Sequence, residues 1–119
     1  MDGIASYREH AVSTQSRGRL IVLLYEGAIK FLKLAIQAIE AGQVAEKGKY
    51  IRKALAIVHE LESSLDMETS GEVALNLRRL YDFMDRHLAE ANVKHDPQRI
   101  RDVIALLEDL NAGWKAITT

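Results

Sequence analysis

Apolar residues recur along this chain every three or four positions in four long runs, and no run alternates with a period of two. The densest run, Leu20 to Ala41, carries its polar residues Glu26, Lys30, Lys33, Gln37 and Glu40 at intervals of four, three, four and three. On a helical wheel of roughly 100° per residue they form one stripe about 80° wide, which leaves an apolar arc of roughly 280°. Val22 is the main apolar residue on the polar side. A helix in an ordinary bundle needs an arc of about 100° or somewhat more, so this one carries a surplus that something must cover. Helices of the same chain, a spare segment of it, or a partner could do so.

The stop and start signals divide the chain. Ser13 or Ser16 can cap the first helix, Gly18 weakens its first turn, and Gly42 stands where a left-handed C-terminal cap is expected, which predicts a helix over 16–41. Tyr50, Ile51, Ala54, Leu55, Val58, Leu61 and Leu65 predict a second over 44–65, with Gly48 a soft spot near its start. Thr69 followed by Glu72 reads as a capping box, and Val73, Leu77, Leu80, Tyr81, Met84, Leu88 and Ala91 predict a third over 70–92. Asp96 caps the fourth, over 97–116, with Pro97 at its first position and the stripe Ile100, Val103, Ile104, Leu107, Leu110, Trp114. Residues 1–15 form a polar leader with helical spacing at Ile4, Tyr7 and Ala11, too short to hold a helix alone.

Short connections place consecutive helices antiparallel, so the expected fold is all-α: an up-down-up-down four-helix bundle with a short N-terminal leader, in one domain. Helices two to four have apolar arcs of roughly 160–180°, enough for two neighbours, and only the first is in clear excess. Ala28, Ala35 and Ala38 at the centre of its arc suit close packing, with Ile21, Leu24, Phe31 and Ile39 as larger residues between them. Two flanks remain, one carrying Leu23, Gly27, Leu34 and Ala41 and the other Tyr25, Ile29, Leu32 and Ile36. Either suits a groove for an amphipathic helix.

Composition narrows the function. There is no cysteine, which removes disulfides, thiol nucleophiles and thiolate metal sites. Sixteen basic residues balance seventeen acidic ones with interspersed signs, so no nucleic-acid or membrane-surface partner is implied. The N-terminus lacks the basic and apolar regions of a secretory signal, and the longest apolar run, Leu20 to Tyr25, is far short of the roughly 18 residues of a membrane span. A soluble cytoplasmic protein is expected.

Catalytic chemistry finds no foothold. No glutamate has a histidine three residues on, and His10, His59, His87 and His95 include no pair at the spacing of one helical turn that zinc would use. A histidine phosphotransfer bundle is the closest rival, but His59 is followed by Glu60 and Glu62, and His87 is preceded by Asp82 and Asp85, carboxylates that repel a phosphoryl group. No nucleophile elbow or phosphate-cradling glycine loop occurs. Asp82 and Asp85 are an ordinary helical surface pair, and Trp114 reads as a core anchor. No enzyme, metal or cofactor is expected. A generic self-associating helical adaptor is the other alternative.

Several residues together resemble the flagellin export chaperones, the FliS family: Tyr7; Ser13 to Ser16; Leu24, Tyr25, Glu26, Gly27 and Ala28; Leu80, Tyr81 and Asp82; Leu88, Ala91 and Asn92; and Trp114. They cover almost the whole chain in the family's order. Arg17 precedes Gly18 where members often have proline, and the chain ends soon after the tryptophan. The resemblance implies a cytosolic four-helix chaperone that binds the C-terminal segment of flagellin, prevents premature polymerisation and delivers it to the flagellar export gate protein. Unpartnered amphipathic helices of the client are a self-association hazard that an apolar surface on the chaperone relieves. The expected partner-binding residues are Ile4, Tyr7 and Ala11 of the leader with Leu23, Tyr25, Gly27, Ile29, Leu32, Leu34 and Ile36 of the first helix. The leader would cover the groove of Tyr25, Ile29, Leu32 and Ile36 until the client displaces it, and the empty protein would be a monomer or weak homodimer. Tyr7 would also lie near the export gate contact.

Overall fold

The computed structural model describes residues 17–65 and 67–118, side chains included except at 67–70. Four helices follow one another: α1 (Arg17–Glu40), α2 (Val44–Ser63), α3 (Met67–Lys94) and α4 (Pro97–Thr118), with no strand among the described residues. α1 lies against α2 and α4, and α3 closes the far side against the same two helices. Cross-helix contacts fix the directions. Gly27 faces Ile57 and Phe31 stacks on Tyr50 between α1 and α2, while Lys47 meets Asn92 and His59 meets Asp85 between α2 and α3. His87 meets Asp102 and Glu90 meets Arg99 between α3 and α4, and Gly18 meets Thr118 and Glu26 meets Lys115 between α1 and α4. In each pair one number rises as the other falls, so all four adjacencies are antiparallel, as expected of an up-down-up-down bundle.

Side-chain size sets the spacing. α1 turns Tyr25, Ala28, Leu32, Ala35 and Ala38 inward, and α2 answers with Gly48, Ile51, Ala54, Val58 and Leu61. Small residues at such an interface let backbones approach, and α1 makes its most extensive approach to α2, then to α4. α3 inserts Tyr81, Met84 and Leu88, which are larger and hold it further off.

Each turn has its own chemistry. Gly42 takes φ +71°, donates to the Ile39 carbonyl at 3.1 Å, and lets Gln43 donate to the Ala38 carbonyl at 2.8 Å, the paired bonds of a Schellman cap. α3 ends likewise with His95 at φ +52° and the Asp96 amide on the Ala91 carbonyl at 3.1 Å. There Lys47, only 2% exposed, donates from its ammonium to the Asn92 carbonyl and to His95 Nδ1, both at 2.7 Å. A buried cation from α2 thus satisfies the C-terminal end of α3, where the helix dipole favours positive charge. Asp96 accepts the Gln98 amide at 3.0 Å and caps α4 as expected.

Two expectations for α3 need correction. Gly71 sits at φ +54°, ψ −120°, so Thr69 cannot be followed by the helical turn that a capping box closing on Glu72 requires. The break also sets the phase of the helix: Ala74 is fully buried, whereas Val73, expected at the head of the inward stripe, is 65% exposed. Ser13 and Ser16 lie outside the described residues.

Across the core, the hydroxyls of Tyr25 and Tyr81 meet at 2.5 Å and tie α1 to α3. Burial raises both phenol pKa values above the ordinary range, most strongly at Tyr81. Glu62 on α2 faces Asp82 on α3. A proton shared with the Asp82 carboxyl, then burial, pushes Glu62 above its ordinary value of 4.5.

Removing one member of the tyrosine pair strands the other hydroxyl in the core. Tyr25→Phe and Tyr81→Phe should each cost about 1–2 kcal/mol in urea denaturation, and the double variant about 1 kcal/mol less than their sum. Additive losses would show that the hydroxyls act independently. A raised glutamate pKa contributes stability below pH 4.5 that is lost as pH climbs through the folded value. Glu62→Gln should therefore stabilise the bundle by about 0.5 kcal/mol at neutral pH, with the gain vanishing in acid.

Candidate functional site

An open groove of about 550 Å³ runs between α1 and α4 along the polar stripe of α1. α1 supplies its length from Glu26 to Gln37, roughly 16 Å or three turns at 1.5 Å per residue. Ile29 and Leu34 give its α1 wall an apolar part, with Lys30 and Lys33 alongside. α4 supplies Glu108, Asn111, Ala112 and Lys115. Lys115 pairs with Glu26 at 3.8 Å, but both side chains are about half exposed, so this rim contact contributes little to stability. Asn111 is different: it is 3% exposed, and its Oδ1 has no hydrogen-bond partner.

The structure redistributes the residues expected to bind a partner. Ile29 and Leu34, assigned to opposite flanks, both line this one groove. Leu23 is 62% exposed near the N-terminal end of α1, beyond the groove, beside Leu20 at 56%. Gly27 is occupied by α2, since a Cβ there would stand 3.3 Å from Ile57 Cδ1. Ile36 is half-buried against the core. Tyr25 and Leu32, expected on a groove wall, have no exposed surface and belong to the core. The reason is where the neighbours sit: α2 holds the Gly27 and Phe31 side of the arc and α4 the Ile29 side, which puts Tyr25 and Leu32 between them. Ile4, Tyr7 and Ala11 lie outside the described residues.

The surplus is also distributed differently from expectation. α1 leaves only Leu20 and Leu23 as well-exposed large apolar residues, whereas α3 exposes Val73, Leu75, Phe83 and Val93, the last at 80%. α3, held off by its own large side chains, leaves more of itself in solvent. Asn111 interrupts the apolar stripe of the fourth helix. Its signal was visible: it stands four residues after Leu107 and three before Trp114, a polar residue in core register.

The helical histidines serve as struts. His59 bonds Asp85 at 3.2 Å and His87 bonds Asp102 at 3.0 Å. The His87 bond, then Gln98, holds Asp102 below the ordinary aspartate range.

The comparisons with known proteins agree on one family. The family model described as flagellar protein FliS matches residues 1–119. The chain belongs to the FliS family. It is 40% identical to the flagellar secretion chaperone FliS of Salmonella typhimurium, over 98% of this chain and 90% of that one. Against FliSB of Pseudomonas aeruginosa the identity is 42%, over 92% and 87%. FliS of Bacillus subtilis is 34% identical, over 92% and 81%. The same architecture appears in a solved structure described as a flagellar chaperone from bacteria, with a TM-score of 0.81 over 97% of this chain and 96% of the other at 16% identity.

The residues that carry the FliS resemblance are mostly packing residues. Tyr25 bonds Tyr81, Ala28 is fully buried, and Gly27 admits α2. Leu88 and Ala91 are core, the Asn92 carbonyl receives Lys47, and Trp114 packs against the same core. Among the described residues, no helix is long and apolar enough to cross a membrane.

Core and groove are separable by substitution. Leu32→Asp buries an unpaired carboxylate and should cost more than about 3 kcal/mol or unfold the bundle. Ile29→Asp, at a half-buried edge, should cost about 1 kcal/mol and keep the helical circular dichroism. Equal losses at both positions would place Ile29 in the core.

Proposed function

We propose that this protein is a cytosolic export chaperone that binds the C-terminal helical segment of flagellin, prevents its premature polymerisation and delivers it to the flagellar type III export apparatus. The observation that carries the reading is the family match along residues 1–119, shared with relatives named flagellar secretion chaperones. The groove of α1 and α4 supports it physically. Its three-turn length suits a helical segment anchored at i, i+3 or i+4, and i+7. A groove floored by the lysine-bearing polar stripe, with Ile29 and Leu34 on either side of it, can hold such a face while the empty surface stays hydrated. Within this reading Ile29, Leu34 and Ile36 contact the client, and Ile4, Tyr7 and Ala11 of the leader cover the surface until flagellin displaces them. Tyr7 also serves at the export gate.

The test is co-purification with flagellin, with and without its C-terminal segment. A one-to-one complex that disappears on truncation is expected, and binding that ignores the truncation would overturn the reading. Deleting residues 2–11 should leave the bundle folded and change the affinity for flagellin or for the gate protein. Unchanged affinities for both would remove the leader from the mechanism.

A further inference from the structure

Among the described residues α3 exposes more large apolar side chains than any other helix, and its outward face has an order of its own. Leu75, Arg79, Asp82, Arg86, Ala89 and Val93 follow one another at intervals of four, three, four, three and four. At roughly 100° per residue they fall within about 80° of the helical wheel, nearly opposite the core residues Ala74, Tyr81, Met84, Leu88 and Ala91. All six are exposed. The charges on this strip are not spent within the chain. Asp82 and Arg86 stand one helical turn apart, yet neither they nor Arg79 make an ion pair among the described residues. Asp82 is instead crowded by Glu62 of α2, the contact that raises the Glu62 pKa.

The strip reverses in sign about its middle. Going back from residue 84 it reads Asp82, Arg79, Leu75, and going forward it reads Arg86, Glu90, Val93, with Glu90 beside Ala89 at the edge. Acid stands where the other half has base, base where it has acid, and an aliphatic residue ends both halves. Such a helix is complementary to itself turned end for end. We propose that the outward face of α3 is the interface of a two-fold dimer of this chain, in which two α3 helices pack antiparallel about a point near residue 84. Asp82 of each copy then meets Arg86 of the other, Arg79 meets Glu90, and Leu75 meets Val93. Glu90 gives Oε2 to Arg99 of its own chain, and a carboxylate accepts through either oxygen, so it can serve both arginines. A parallel pair is opposed by the same residues, because it would set Asp82 against Asp82 and Arg86 against Arg86. One helix pair buries less surface than a standard stable interface, so the dimer is weak and forms at high protein concentration. The α1–α4 groove uses none of these residues. Each copy keeps its own groove, and the inference stands apart from the chaperone reading.

The experiment measures the mass of the full chain by sedimentation over a concentration series, together with Asp82→Arg, Arg86→Asp, an equimolar mixture of the two, and the double variant. The parent should approach twice the mass of one chain as concentration rises. Either single variant sets like charges together at both central contacts and should weaken dimerisation roughly tenfold or more. The mixture and the double variant bring opposite charges back together and should recover it. Both positions are exposed, so the helical circular dichroism should not change. A parent that keeps the mass of one chain up to millimolar concentration would overturn the inference. So would a dimer that the single reversals leave intact, or one that neither the mixture nor the double variant recovers. The chain has no cysteine, which allows the register to be read separately. Leu75→Cys mixed with Val93→Cys should form a disulfide between copies on oxidation, and neither variant alone should do so. Efficient cross-linking of Leu75→Cys to itself would make the helices parallel and overturn the inference.

Discussion

The close approach of α1 to α2 governs the rest of the bundle. Ala28, Ala35 and Ala38 on one helix and Gly48 and Ala54 on the other alternate with Leu32, Ile51 and Val58, so the small residues let the backbones approach while the larger ones fill the space between them. Gly27 extends this contact toward Ile57, and Phe31 with Tyr50 seals its edge, each ring with a lysine ammonium over it. Once α2 is seated there, α4 is directed to the opposite side of the α1 arc. The polar stripe of α1 then becomes the floor and rim of a groove in place of a uniformly solvated face.

Polar groups inside the bundle mark where helices are held in register. The Tyr25–Tyr81 bond links the diagonal pair, which share few backbone contacts of their own, and Lys47 joins the start of α2 to the end of α3. α3 depends on such contacts more than the others do. Its apolar stripe is broken in phase at Gly71, it exposes four large apolar residues among those described, and its lateral ties to α2 and α4 include His59–Asp85, Glu62–Asp82 and His87–Asp102.

Among the described residues, those that carry the family resemblance and those that line the groove overlap only at Glu26. The tyrosines, the alanines and glycine of the first motif, and the Leu88–Ala91–Asn92 segment build and fasten the core. The groove draws on Ile29, Leu34 and the lysines of α1, with Glu108, Asn111 and Ala112 of α4. A sequence pattern of this kind therefore identifies the family through its architecture more than through its site.

Helix number, order, antiparallel direction, the Gly42 and Asp96 caps and most inward positions were legible in the sequence alone. Each follows from local chemistry or from a period of 3.6, which any helix must obey whatever its neighbours. The choice of flank was not legible. A wheel shows that α1 has apolar residues on nearly every side, but which of them are wall and which are core depends on where α2 and α4 come to rest. That is decided by the fit of Gly27 to Ile57 and of α4 to the Ile29 side, contacts between residues far apart in the chain. Tyr25 and Leu32 passed from expected surface to core for this reason. Asn111 likewise shows its place only in the fold, because a polar residue in core register does not say which neighbouring helix will bury it.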